Sequence, residues 1–312
     1  MKNLFIVTAG TSLLENLEKK VGELQTQQKA AALPGKLPPD FTRLYDPPNS
    51  RWADDLHWIC CYYSQRYRRD ALRETTTAEL ASLSLLSEEA SPIRLRPEAE
   101  LCFLTSSTST GVFCALVNAY LLVGEEGTVR IWDADNYRPG QTVNWSLPAL
   151  PTNPDLDKWT RPRQATILPV PHVDPTKPKD FAEKGIAEFF TSLSHLIIQA
   201  QNVKQQPVVN FTAGMKAVVP LLTIAAGWLG GIPLVGLHEE ADALLHIATP
   251  KLDPDGEWEK AIRKFSAGEL VADGKNKPFS DSVQRLFVNE GQLQLSPLGQ
   301  VLRSILYATE RL

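Results

Sequence analysis

Over the first 250 residues, short apolar runs alternate with longer stretches in which apolar side chains recur three or four positions apart. The runs Leu4 to Thr8, Glu100 to Leu104, Thr128 to Trp132, Ala165 to Val170, Pro207 to Asn210, Ile232 to Leu237 and Ala243 to Ala248 read as strands. The longer stretches read as helices. One starts near Leu13 and carries Leu14 and Leu17, and others span Trp52 to Tyr63, Thr76 to Leu86 and Val112 to Val123. Two more carry Phe181, Ile186, Phe189, Phe190, Leu193, Leu196 and Ile197, and Val218, Val219, Leu221, Leu222, Ala225 and Ala226. Such an alternation predicts an α/β fold, an open, doubly wound and mainly parallel sheet with helices on both faces. Residues 27–50 and 144–164 are proline-rich and irregular, and the third strand breaks over Asp133 to Gly140.

From Pro250 onward the texture changes. A helix over Trp258 to Phe265, a second one capped by Ser280-Asp281, a short strand Gln292 to Leu295 and a last helix started by Ser296-Pro297 follow one another. This order resembles a winged-helix module, so 1–250 is expected to form a ligand-binding domain and 251–312 a small winged-helix-like one. The basic residues of the small module (Arg263, Lys264, Lys275, Lys277, Arg285, Arg303, Arg311) are scattered among acids, which favours dimerisation or scaffolding over DNA binding.

Composition narrows the classes. The 312 residues provide ample core, and 43% hydrophobic with 22% charged residues describe an ordinary globular chain. A net charge of -4 argues against a globally basic nucleic-acid binder. The apolar run Leu4 to Val7 is too short for a signal peptide or membrane span, and Cys60, Cys61, Cys102 and Cys114 lack metal-ligand spacing. The expectation is a cytoplasmic protein with buried thiols, no bound metal and no cofactor.

Candidate chemistry gathers where strands end. Ala9-Gly10-Thr11-Ser12, Thr105-Ser106-Ser107-Thr108-Ser109-Thr110-Gly111 and Thr212-Ala213-Gly214-Met215-Lys216 each place small, hydroxyl-bearing or glycine residues before a helix. In a doubly wound sheet such turns lie along one edge, where helix N-termini and free N–H groups bind phosphate, and Lys216 adds a mobile cation. The hydroxyls of Thr11 and Ser12 serve equally well as helix caps. Arg138, in the turn after the third strand, either reaches the ligand edge or is simply exposed. Neither Gly-x-x-x-x-Gly-Lys-Ser/Thr nor Gly-x-Gly-x-x-Gly nor Gly-x-Ser-x-Gly occurs, and no carboxylate lies in the three turns. Arg51 and His57 have the Arg-x5-His spacing of one class of RNase sites, on a helix that reads as core.

Gly10-Thr11-Ser12-Leu13-Leu14, Thr77-Ala78-Glu79-Leu80-Ala81-Ser82-Leu83, the 105–111 turn and Asn210-Phe211-Thr212-Ala213-Gly214-Met215-Lys216 together resemble the motifs of CRISPR-associated Rossmann-fold (CARF) proteins. The resemblance is greatest to the CARF plus winged-helix group that includes the standalone ring nucleases of type III CRISPR systems. It covers about 1–250 through four ordered motifs and departs at Ala213, where the family often has a second glycine, and in an insertion over 20–75. It implies binding of cyclic tetraadenylate across the twofold axis of a homodimer, and metal-independent cleavage by attack of a ribose 2′-OH. By similarity, Ser12 and Lys216 would be catalytic. Gly10, Thr11, Thr105, Ser106, Ser107, Thr108, Arg138, Asn210, Thr212, Ala213, Gly214 and Met215 would bind the ligand. The alternatives are a non-catalytic sensor acting through the carboxyl-terminal module and a ligand-activated RNase using Arg51 and His57.

Overall fold

The structure is a computed structural model. It describes residues 2–11, 13–14, 17, 37, 51–124, 127–133, 138–142, 150–159, 161–174, 176–214, 218–238, 243–251, 256–269, 283, 286–289 and 293–309, with backbone alone at 51–53, 73, 133, 138–142 and 289. Eight strands form one sheet: β1 (Asn3–Thr8), β2 (Glu100–Ser106), β3 (Thr128–Asp133), β4 (Arg138–Thr142), β5 (Gln164–Val170), β6 (Gln206–Asn210), β7 (Leu234–Leu237) and β8 (Leu244–Ile247). Their order is β4-β3-β5-β2-β1-β6-β7-β8. The six inner strands run parallel, and the edge strands β4 and β8 are antiparallel to their neighbours. Central β1 sets the register, with Ile6 opposite Cys102 on one side and Val209 on the other.

Strict alternation along the inner strands supplies both faces. Phe5, Val7, Leu101, Phe103 and Val208 join one buried core with helices α1 (Arg51–Arg66), α2 (Ala78–Glu88) and α3 (Ser109–Val123). Leu4, Ile6, Cys102, Leu104 and Val209 join a second core with α4 (Ile186–Asn202) and α5 (Val219–Trp228). The fold is therefore the doubly wound α/β sheet that the pattern predicts. The sequence reading missed β4. Pro139 and Gly140 are strand breakers in general, but an edge strand leaves one row of backbone groups unpaired and tolerates them.

Beyond the sheet, α6 (Gly256–Ser266), an antiparallel pair of β9 (Phe287–Asn289) and β10 (Leu293–Leu295), and α7 (Pro297–Ala308) follow. Ser296 caps α7 by accepting a hydrogen bond from the Gly299 N–H at 3.2 Å, and Pro297 starts its first turn. One face of α7 (Leu302, Leu306) packs with Ile262 and Leu286 in a small local core. Its other face (Val301, Ile305) enters the sheet core beside α4, and the Ser304 hydroxyl donates to the Ala187 carbonyl at 3.0 Å. Among the described residues no helix is long and apolar enough to cross a membrane.

Candidate functional site

From β1 the chain runs to β2 on one side, and it later returns through β6 on the other. The carboxyl ends of β2, β1 and β6 therefore flank a crevice at a topological switch point, the place where open α/β sheets bind ligands. A cavity of about 190 Å³ opens there, lined by Thr8, Gly10, Thr11, Thr105, Ser106 and Gly214 and backed by Val173 and Phe189.

After β6 the backbone bends sharply. Gly214 adopts φ +90°, a conformation open to glycine, and a Cβ there would lie 3.0 Å from the Thr8 Cβ. The Thr8 hydroxyl donates to the Ala213 carbonyl and so ties this turn to β1. Asn210 is fully buried. Its amide donates to the Ser82 hydroxyl at 2.8 Å, and its Oδ1 accepts from the Thr212 N–H at 3.1 Å and the Thr212 hydroxyl at 2.7 Å. Thr212 Oγ1 in turn accepts from the Leu237 N–H at 2.9 Å. In this network the polar atoms of Asn210 and Thr212, both expected to bind the ligand, pair within the protein and shape the turn. Gly214 alone of this loop's described residues lines the cavity.

The turn after β1 is also tied to the protein. The Gly10 N–H, expected to be free for phosphate, donates to Glu79 Oε1 at 3.1 Å. Glu79 is fully buried in the first turn of α2, and among the described residues its buried Oε2 has no hydrogen-bond partner. Burial pushes its carboxyl up to about 7, against the opposing pull of its hydrogen bonds from backbone N–H groups. Thr77 caps α2 by accepting from the Leu80 N–H at 3.1 Å, so α2 braces both turns, through Glu79 at Gly10 and Ser82 at Asn210.

The hydroxyl-rich turn after β2 divides its labour. Thr105 is buried at the cavity wall; its Oγ1, without a hydrogen-bond partner among the described residues, lies 2.8 Å from where a Cβ on Gly111 would fall. Ser106 Oγ lies 2.8 Å from Thr108 Oγ1, and the latter caps α3 by accepting from the Gly111 N–H at 3.1 Å. A Cβ at Gly111 would fall 2.2 Å from Ser106 Oγ, so only glycine lets α3 start so close to the turn. Ser107 to Thr110 face a second cavity of about 680 Å³, whose other wall is formed by His172, Asp174, Lys177 and Asp180. His172 Nδ1 lies 2.9 Å from Asp180 Oδ2, and that bond holds the Asp180 carboxyl below the usual carboxylate range.

A further cavity, of about 670 Å³, opens at the opposite end of the sheet beside Gly124, Arg161 and Arg163. There the Arg161 guanidinium packs on Gly124, where a Cβ would be 2.3 Å from Nη1, and pairs with Asp157 at 3.5 Å. The parallel strands β3 and β5 present their amino ends there, so the carboxyl-edge crevice is the better candidate despite its smaller volume.

Of the remaining site expectations, Ser12, Met215 and Lys216 lie outside the described residues. Arg138 begins β4, opposite Asp133. Four strand spacings separate β4 from β1, roughly 19 Å, so the backbone does not bring Arg138 to this chain's cavity. His57 lies on α1, with Cys61 Sγ 3.4 Å from its Nε2. Sequence reasoning missed Glu79 as a buried acid and the His172–Asp180 pair. Neither has a local signature, because each acts through a fold-made contact.

A family model described as CRISPR-associated protein (Cas_APE2256) matches residues 156–251. No curated protein matches the chain significantly. The matched stretch, about a third of the sequence, runs from β5 to β8 and includes the β6 turn with Asn210 and Gly214. It is similar to CRISPR-associated proteins and supports a CRISPR-related role.

Proposed function

We propose that the protein is a ring nuclease of type III CRISPR signalling. A homodimer would bind cyclic tetraadenylate across its paired carboxyl edges and cleave it to linear adenylates ending in 2′,3′-cyclic phosphate. The observation that carries this reading is the convergence of the β1, β2 and β6 turns on one cavity. The matching CRISPR-associated family supports a CRISPR-related role, and the resemblance of the turn motifs to CARF proteins implies the ligand class.

In this mechanism the nucleophile, a ribose 2′-OH, belongs to the substrate. The protein holds that oxygen, the phosphorus and the leaving 5′-oxygen in line and stabilises the added negative charge. Ser12 would position the phosphate or ribose and Lys216 would neutralise developing charge. Loss of one such preorganised donor typically costs ~10²- to 10³-fold in rate. The test is incubation of cyclic tetraadenylate with wild type, Ser12→Ala and Lys216→Ala in EDTA, with products resolved by mass. Linear cyclic-phosphate products from wild type, and little from either variant, are expected; an intact ring with wild type would refute the enzyme.

One contact favours a second reading, a sensor. Phe189 of α4 backs the cavity, and α7 packs into the same core as α4. A ring that shifted α4 would move the carboxyl-terminal unit with it. That outcome predicts an intact ring whose binding raises the melting temperature.

A further inference from the structure

The wall of the larger carboxyl-edge cavity carries a histidine in an unusual setting. His172 has φ +58°, the left-handed region that residues other than glycine rarely adopt. Its carbonyl oxygen sits where a Cβ on Gly185 would come within 2.5 Å. Gly185 closes a π-helical turn, Phe181–Gly185, that leads into α4, and such turns recur at functional sites. Two departures from regular backbone therefore meet at one residue. Asp180 Oδ2 lies 2.9 Å from His172 Nδ1, so that nitrogen donates and the Nε2 lone pair is left to accept.

The surroundings suit proton transfer. Across the cavity, Ser107 to Thr110 carry no charge. Among the described residues, the charged groups on the histidine's own side of the cavity are Asp174, Lys177 and Asp180, with Lys184 beside Asp180. Asp174 is held by Thr176 and pairs with Lys177 at 3.6 Å; Lys184 lies 3.7 Å from the other Asp180 oxygen. The two cavities meet at the turn after β2, since Thr105 and Ser106 line the smaller one and Ser107 the larger. The Ser107 N–H donates to the Val170 carbonyl at 3.1 Å, which joins this turn to the end of β5 two residues before His172.

We infer that His172 is the general base of ring cleavage and that Asp180 is its positioning residue; this rests on the ring-nuclease reading above. The 2′-OH proton passes to Nε2 as the O2′–P bond forms. The P–O5′ bond breaks, the departing 5′-oxygen takes a proton from water, and the imidazolium returns its proton to solvent. An imidazole is the side chain suited to this exchange near neutral pH, and general bases typically contribute ~10²- to 10⁴-fold.

The test uses full-length protein, cyclic tetraadenylate and EDTA, with single-turnover rates across pH 5 to 9 and ring affinity measured in parallel. His172→Asn is the chosen variant, because asparagine tolerates the left-handed backbone. Its rate should fall by ~10² or more, with ring affinity within about threefold of wild type and the acid-side fall in rate abolished. Asp180→Asn, which reverses the imidazole tautomer, should slow cleavage by ~10-fold or more and leave affinity intact. A His172→Asn protein that cuts at the wild-type rate with the wild-type pH profile overturns the base and leaves the ring nuclease standing. Loss of ring affinity that accounts for the lost rate overturns it too. A wild type that leaves the ring intact overturns the nuclease and the base with it.

Discussion

Glu79 sits directly behind a turn that would meet an anionic ring, and its ionisation carries a measurable consequence. The folded carboxyl titrates at about 7 against an ordinary 4.5. Below pH 4.5 the group is protonated in both states and folding is not penalised. As pH rises toward 7 the unfolded chain loses the proton and the native state keeps it, so stability falls, by on the order of 3 kcal/mol in all. Glu79→Gln should flatten the melting temperature between pH 4.5 and 7 and be more stable than wild type above pH 7; an unchanged slope would show that Glu79 is not the group responsible. Gly214→Ala adds a Cβ at φ +90° and 3.0 Å from Thr8, and should cost about 1–3 kcal/mol in denaturant unfolding. Gly214 was legible in the sequence because a glycine between a strand and a helix implies a tight turn. The inward aim of Asn210 was not, since its amide partner Ser82 is brought beside it by tertiary packing.

At the scale of elements, pattern predicted strands well wherever both faces are buried. The apolar runs of β1, β2, β5 and β6 coincide with the observed strands to within about two residues, because a strand covered on both sides must be apolar at consecutive positions. Edge strands lack that constraint, and β4 went unseen. Helix starts were marked by hydroxyls: Thr77 and Thr108 cap α2 and α3. Removing the Thr108 cap with alanine should cost about 1 kcal/mol and also frees Ser106, a change visible as a lower melting temperature. The last helix has two apolar faces, and the sequence alone did not tell which core each would enter. Ile305→Ala should destabilise the sheet domain itself by about 2–5 kcal/mol, because Ile305 packs with α4 and α5 rather than with the small carboxyl-terminal core. Hydrogen exchange that slows or quickens only in 251–312 would argue against that coupling.

For the whole molecule, the doubly wound sheet fixes where a ligand can sit, and three turns far apart in sequence become one wall of a crevice. The site's location was legible from chain order; its depth, and the buried acid and histidine around it, required the fold. The account's central claim is that two such crevices together hold one anionic ring. Titration calorimetry of cyclic tetraadenylate into the wild type tests it most directly. The account predicts one ring bound per two chains; one ring per chain, or no binding, would contradict it.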